Sequence, residues 1–410
     1  MNKADSRRLA VRLEEAGYRD SSLLEESDVV ILNSCVVRQS AENKVIHKLD
    51  SLRGLKKKYP QIKIVLTGCM VSYDDREMKN HFPWVDLFLP PQEWDAFDRW
   101  LYEHGTARIH AGPAPGKHPV SALVPIVHGC DSFCSYCVVP YRRGRVRSRP
   151  VDEIVREVTE LVHGETREAC LLGQIVDQYG VDLVACPDLA DLLGELNGIR
   201  ELCRIRFLTS HPLYMSDKLI QAMARLEKVC EHVSLPVQSG DDEVLAAMKR
   251  GYSSQQYLDL VRSIRYHVPE ASISTDVIVG FPGETRQQFA RTLNLLQEVR
   301  FDKVHVASYS PRPETYSAKS MLDDVEPAEK ESRRTQVEDM QHEISAAINA
   351  GLMGQTVEVL VEGEKKGKLQ GRTRSDKLVF FPGPRDLIGQ LVSVRIDKTS
   401  PFALQGSCCS

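Results

Sequence analysis

The chain has 410 residues, and 53 Lys and Arg against 57 Asp and Glu leave a formal net charge of −4. That length suits two or three domains around large cores, and the near balance of charge excludes a chain that is a polyanion binder throughout, leaving nucleic-acid contact to local patches. No apolar run reaches the length of a membrane span, MNKADSRRLAVRLEEAGY reads as an amphipathic helix instead of a signal peptide, and eleven cysteines point to reduced, metal-binding thiols in a cytoplasmic protein.

Residues 1–103 read as a doubly wound α/β domain. Ala4 to Ala16 repeats apolar residues at helical spacing, and Gly17 ends the helix. DVVILN, Asp28 to Asn33, is a continuous apolar run of the kind buried on both faces, and it delivers Cys35. A helix through Leu55 follows. IKIVLT, Ile62 to Thr67, is the next such strand and delivers Cys69 after Gly68. Ligands collect at the carboxyl ends of strands in such sheets, so Cys35 and Cys69 read either as one shared site or as two buried structural thiols. Residues 104–123 are rich in Gly, Pro and His without periodicity and read as a linker.

After the strand at 124–127 comes VHGCDSFCSYCVVPYRRGRVRSR. Cys130, Cys134 and Cys137 stand in a C-x₃-C-x₂-C spacing on one tight loop. Zinc normally takes four ligands, often from two paired knuckles, and a second knuckle is missing nearby. Three thiolates can hold an iron–sulfur cluster and leave one iron open to a chelating molecule. Behind the cysteines, Arg142, Arg143, Arg145, Arg147 and Arg149 form a dense basic run. It is either a solvated loop or a set of guanidinium forks for phosphate oxygens.

From 124 to 350 strand and helix alternate. Apolar runs at 168–172, 203–208, 231–237, 273–279 and 303–309 join the first strand, with helical segments between them. Six βα units with right-handed crossovers imply a parallel sheet curled into a partial barrel, its site at the strand C-terminal ends. The cysteine loop falls there. So do Gly173-Gln174, TSHP at 209–212, QSG at 238–240, GFPGE at 280–284 and YSPRP at 309–313, with Asp276 inside the fifth strand. Each could be a polar turn by itself; together they converge on one mouth.

A charged helix covers 325–350. Residues 351–410 change to short strands with Gly and Pro turns, a small five-stranded β-barrel. Lys365, Lys366, Lys368, Arg372, Arg374 and Lys377 concentrate basic charge on its early hairpins, as a nucleic-acid face or as an ordinary solvated surface.

The three-cysteine loop resembles that of the radical S-adenosylmethionine enzymes, and the whole chain resembles their methylthiotransferase family. NSCVVRQSAENKV and LTGCM carry the likeness in the N-terminal domain. CDSFCSYCVVPYRRGRVRSRP, LLGQIVDQYG, RIRFLTSHP, LPVQSGDDEVLAAMKRGY, STDVIVGFPGET and YSPRP carry it in the central radical-SAM barrel, and GRT in a C-terminal TRAM-type barrel. MNKADSRRLA, VVPYRRGR and LPVQSG are most similar to the branch that adds a methylthio group to C2 of N6-isopentenylated adenosine beside the tRNA anticodon. Sister branches act on threonylcarbamoyl adenosine in tRNA or on a ribosomal-protein aspartate.

The resemblance implies a 4Fe–4S cluster on Cys130, Cys134 and Cys137. The amino and carboxylate groups of S-adenosylmethionine chelate its open iron, and reductive cleavage yields a 5′-deoxyadenosyl radical. Tyr136 would pack near the adenine, and Gln174, Gln238 and Asp276 would contact the cofactor. Cys35 and Cys69 match two of three ligands of a second 4Fe–4S cluster that carries or donates sulfur. The third belongs to a G-C-Q-M-N motif, and this chain begins Met1-Asn2-Lys3, as though at the methionine of that motif: either the start is assigned too late, or the chain is trimmed, or the second cluster has two protein thiolates here. Ile175 stands where the family commonly has Asn. Implied partners are tRNA, held through the arginine run and through Lys368, Arg372 and Arg374; an electron donor of flavodoxin or ferredoxin type; and a sulfur carrier. A monomer without membrane contact is expected. A different outcome is an RNA-binding relative that has lost sulfur insertion with the N-terminal cysteine.

Overall fold

A computed structural model describes residues 1–34, 39–71, 76–91, 93–104 and 119–409, with side chains from 42 onward in the second stretch. The described chain forms two compact units. The first holds the residues before 105 together with Gly129–Asp131 and Cys137–Arg145; the second holds the rest.

In the first unit, β1 (Val29–Ser34), β2 (Lys63–Gly68) and β3 (Leu87–Leu89) make a parallel sheet in that order. Asn33 sits beside Thr67 and Ser34 beside Gly68, so the strand ends preceding Cys35 and Cys69 are in register. Consecutive β2 residues bury opposite faces. Ile64 and Leu66 pack with Leu49 and Leu52 of the helix Gln39–Lys58. Val65 packs with Leu9 of the helix Asn2–Glu15 and with Phe97 and Trp100 of the helix Trp94–His104. Helices therefore cover both sides, which is why β1 and β2 read as unbroken apolar runs.

The second unit is built on β4 (Ser121–Pro125), β5 (Val127–His128), β6 (Arg147–Ser148), β7 (Glu168–Leu172), β8 (Arg204–Leu208), β9 (His232–Ser234), β10 (Ser272–Val279) and β11 (Lys303–Ser308). Two parallel sheets, β4-β7-β8 and β11-β10-β9, are joined through a parallel bridge between Ile205 and Val229. The six parallel strands are the expected partial barrel. Side-chain caps mark where its helices begin: capping boxes pair Asp188 with Asp191, Ser253 with Gln256 and Thr285 with Gln288. The short antiparallel pair β5/β6 sets Val127 opposite Ser148, and the Arg149 N–H reaches Ile126 O. That ladder ties together the two ends of the cysteine loop.

After the helix Pro327–Ala350, β12 (Thr356–Lys365), β13 (Lys368–Arg372), β14 (Leu378–Phe381), β15 (Leu391–Thr399) and β16 (Leu404–Cys408) close into a barrel of order β12-β13-β14-β16-β15. Its core is Val359, Val361, Leu369, Val379, Phe381, Val394, Ile396 and Leu404. The turn after β13 lies against the N-terminal ends of the central strands. Arg204 donates to Arg372 O at 2.7 Å and pairs with Glu358; Arg206 donates to Arg374 O and Thr373 O; Ser272 donates to Ser375 O. No described helix is long and apolar enough to cross a membrane.

Candidate functional site

Gly129 opens the cysteine loop at φ +72, and a Cβ there would fall 2.0 Å from Arg145 O. Only glycine allows that approach. The Cys130 N–H donates to Gly144 O, which turns the backbone back on itself. Cys130 and Cys134 are buried and Cys137 is half-buried.

In the second unit the loop is held from below. The Ser135 N–H donates to Met248 O at 3.0 Å, its hydroxyl donates to Ala247 O at 2.8 Å, and its carbonyl accepts from the Ser317 N–H at 2.8 Å. Cys134 Sγ accepts a hydrogen bond from Arg250 Nη1 at 3.3 Å. Tyr136 sets its ring edge-on to Phe281, with centroids 6.5 Å apart, against Val244, Met248 and Tyr309.

The carboxyl ends of the barrel strands carry the other expected residues. Gln174 follows β7 and Gln238 follows β9, and each has a buried side-chain oxygen without a partner. Gln238 holds φ +70 and Thr209, after β8, holds φ +71, both left-handed although neither is glycine. Such strain gathers at functional sites. Asp276 is half-buried in β10, in register with His305, and its carbonyl accepts the Gln238 N–H. Ile175 is buried.

Sequence reading set His211 at the mouth within TSHP but did not single out Asp177, Arg250 or Tyr252. The Asp177 carboxylate accepts the His211 N–H at 3.0 Å, and burial raises its pKa to about 7. Burial, then the Arg250 charge, lowers His211 to about 3, so its ring is neutral. His211 Nδ1 accepts the Leu213 N–H, which leaves Nε2 as the protonated nitrogen, buried and without a partner. Tyr252 lies edge-on to His211 at 5.7 Å. TSHP was legible as a polar strand end, but its pairing with Asp177 was not.

In the first unit, Gly68 adopts φ +92, where a Cβ would strike Ser34 O, and delivers Cys69 into a buried position. Cys69 Sγ accepts from Arg143 Nε at 3.4 Å. The same guanidinium pairs with Asp5 at 2.9 Å and donates to Asn2 Oδ1 at 3.0 Å. Cys35 lies outside the described residues.

The basic residues divide by placement. Arg143 is buried, and Arg149 donates to Pro125 O and pairs with Glu157 at 2.6 Å. Arg145 is exposed beside Asp131 at 2.7 Å, Arg147 is exposed and Arg142 half-buried. On the small barrel, Arg374 pairs with Glu231, Arg372 with Asp376 and Lys377 with Asp302. Lys365, Lys366 and Lys368 are exposed, with Lys368 donating to Gln405.

Among the described residues no three His, Cys, Asp or Glu side chains converge on one ion position. A cubane requires something else, one thiolate for each of three irons. The three thiols of the C-x₃-C-x₂-C loop, two of them buried, supply that number of donors. The orphaned oxygens of Gln174 and Gln238 suit the N–H and O–H donors of an amino-acid nucleoside beside the cluster. The residues present therefore fit an iron–sulfur cluster and S-adenosylmethionine.

The chain is similar to known proteins along its whole length. The Radical SAM superfamily profile matches residues 124–296, Uncharacterized protein family UPF0004 matches 1–90 and the TRAM domain matches 352–408. A tRNA-2-methylthio-N(6)-dimethylallyladenosine synthase of Dehalococcoides mccartyi strain CBDB1 is 50% identical, over 99% of this chain and 95% of that protein. Proteins of the same name from Roseiflexus sp. strain RS-1 and Chloroflexus aurantiacus are 47% and 46% identical over 99% of this chain, covering 87% and 89% of theirs. The fold is shared with TsrM of Kitasatospora setae, a radical S-adenosylmethionine methyltransferase solved with cobalamin and a 4Fe–4S cluster, at TM-score 0.54 and 14% identity, covering 89% of this chain and 73% of that one. Full-length identity of this order places the chain in the tRNA-2-methylthio-N6-dimethylallyladenosine synthase family of radical S-adenosylmethionine enzymes.

Proposed function

We propose that this chain transfers a methylthio group to C2 of N6-(dimethylallyl)adenosine beside the anticodon of tRNA, as a cytoplasmic enzyme served by an external electron donor and a sulfur source. The observation that carries the reading is the C-x₃-C-x₂-C loop, with Cys130 and Cys134 buried, in a chain half-identical over its full length to synthases of that name.

C2 of adenine is an sp² carbon without an acidic proton or a leaving group, and the cluster with S-adenosylmethionine supplies the radical chemistry such a position needs. Cys130, Cys134 and Cys137 would hold the cluster. Gln174 and Gln238 would accept hydrogen bonds from the cofactor's amino and hydroxyl groups, with Asp276 beside them and Tyr136 packing near the adenine. The neutral His211 would offer its Nε2–H to a bound acceptor. In the first unit Cys69, and Cys35 with it, would hold the sulfur-bearing group. The target base lies in a single-stranded loop, so it can enter the mouth without opening a duplex. Arg142, Arg145 and Arg147 would meet phosphates, with Lys365, Lys366 and Lys368 on the small barrel.

The test is nucleoside analysis of tRNA from a strain that lacks its own synthase and expresses this chain. Methylthiolated dimethylallyladenosine is expected. Its absence, with the modification found on threonylcarbamoyl adenosine or on a ribosomal protein, overturns the substrate.

A further inference from the structure

Arg250 is the buried cation whose surroundings the reaction has not yet accounted for. It lies between the helices Asp242–Ala247 and Ser254–His267 and is 5% exposed. Each of its three nitrogens donates a hydrogen bond. Nε donates to Tyr252 Oη at 3.0 Å, Nη2 to Pro236 O at 3.1 Å and Nη1 to Cys134 Sγ at 3.3 Å. The Tyr252 hydroxyl passes its own proton to the backbone, 2.9 Å from Val237 O. The fork cannot turn away, because Ser135 fastens the cysteine loop to Ala247 and Met248, the residues just before Arg250.

Four other buried arginines face carboxylates. Arg143 has Asp5, Arg204 has Glu358, Arg206 has Glu168 and Arg333 has Glu284. Among the described residues no carboxylate pairs with Arg250. A guanidinium taken out of water without a counter-charge is costly, and it persists where another negative group meets it. The group placed there is the sulfur of Cys134, a cluster ligand in the proposed function.

We infer that Arg250 is a positioning residue whose unmatched positive charge and N–H donor, set against Cys134 Sγ, favour the reduced form of the cluster that this loop holds. Resting on the proposed function, it goes beyond it by naming the residue that sets the electron affinity. One electron enters from the external donor, the cluster gains one negative charge, and no bond in the protein changes. A fixed cation and a hydrogen bond at a ligand sulfur stabilise that added charge, two of the levers that set iron–sulfur potentials. Arg143 donates likewise to Cys69, but its charge is matched by Asp5. The two sites are therefore built with different electrostatics.

The experiment is a redox titration of the anaerobic holoprotein with dithionite. The reduced cluster is read by electron paramagnetic resonance and iron is counted in parallel, for wild type, Arg250→Gln and Arg250→Lys. Arg250→Gln should show a reduced-to-oxidised ratio at least about tenfold lower at a fixed poise, which for one electron is about 59 mV. Arg250→Lys, which keeps the charge, should stay near wild type. If Arg250→Gln loses its iron while Arg250→Lys keeps it, the charge is needed even to hold the cluster, which also supports the assignment. A wild-type potential in Arg250→Gln, or a Lys variant as defective as the Gln variant, overturns it. Wild-type protein without iron would overturn the proposed function itself, so the two failures are distinguishable.

Discussion

His232 shows what one buried ring does to the pH dependence of stability. It lies wholly inside the second unit, with Nε2 3.3 Å from Ser274 Oγ, and burial is the main cause of a pKa lowered to about 4. In the unfolded chain the ring would bind its proton near pH 6.5. As pH falls from 6.5 towards 4 the unfolded state therefore takes up a proton that the folded state does not, and stability present above 6.5 is lost. Asp177 works in the opposite sense. Its pKa of about 7 means that stability is lost as pH rises from the ordinary carboxylate range. Comparing wild type with His232→Gln isolates the ring: the loss of unfolding free energy between pH 7 and 4.5 should shrink by about 2 kcal/mol in the variant. Denaturant melts at the two pH values measure it, and an unchanged difference would show that His232 is accessible and titrates normally. Residues of this kind escape sequence reading because their partners are remote. Arg250 and Cys134 are 116 positions apart, and nothing local announces that they meet. The thiols were legible because their ligand spacing is itself local.

At the scale of elements, apolar runs identified β1, β2 and the six parallel strands; β2, buried along nearly its whole length, leaves no polar alternation, whereas β4 and β11 alternate in burial. β3 has three residues and β5 and β6 two each, too short for any periodicity, so only the fold reveals them. The seating of the small barrel on the central strands was equally hidden. Its basic turn reads as a nucleic-acid face from composition, yet Arg374 and Lys377 meet Glu231 and Asp302, and Arg204 meets Arg372 O. The Arg204 side chain is fully buried at that contact. Arg204→Ala should remove a buried guanidinium and leave the Arg372 carbonyl without its donor, while the half-exposed Glu358 turns to water, lowering stability by about 2 kcal/mol. The check is thermal unfolding together with limited proteolysis, and the first cut should move to the stretch between the helix Pro327–Ala350 and β12. An unaltered melt and cleavage pattern would mean that the seating contributes little.

For the whole molecule, the same contacts decide how RNA binding is best probed. Deleting the small barrel would expose Arg204 and Arg206, so loss of tRNA affinity in such a truncation would mix two effects. Lys365, Lys366 and Lys368 stand exposed on the hairpin of β12 and β13 and can be replaced without disturbing the core. Replacing all three by Ala should weaken tRNA binding and flatten the dependence of log K on log salt by roughly one unit for each lysine that meets a phosphate. Arg374→Ala should instead lower stability and leave that slope alone. If the lysine variant keeps the wild-type affinity and slope, the tRNA is held on another face.

The account as a whole depends on the cysteine loop holding a cluster with an open iron. Iron and sulfide per chain, measured on anaerobically reconstituted wild type and Cys134→Ala side by side, test that directly. The variant should lose about four irons relative to wild type and form no 5′-deoxyadenosine from S-adenosylmethionine, since the loop then lacks one of the three thiolates that its cluster needs. Equal iron in the two proteins, or zinc in place of iron in the wild type, would contradict it.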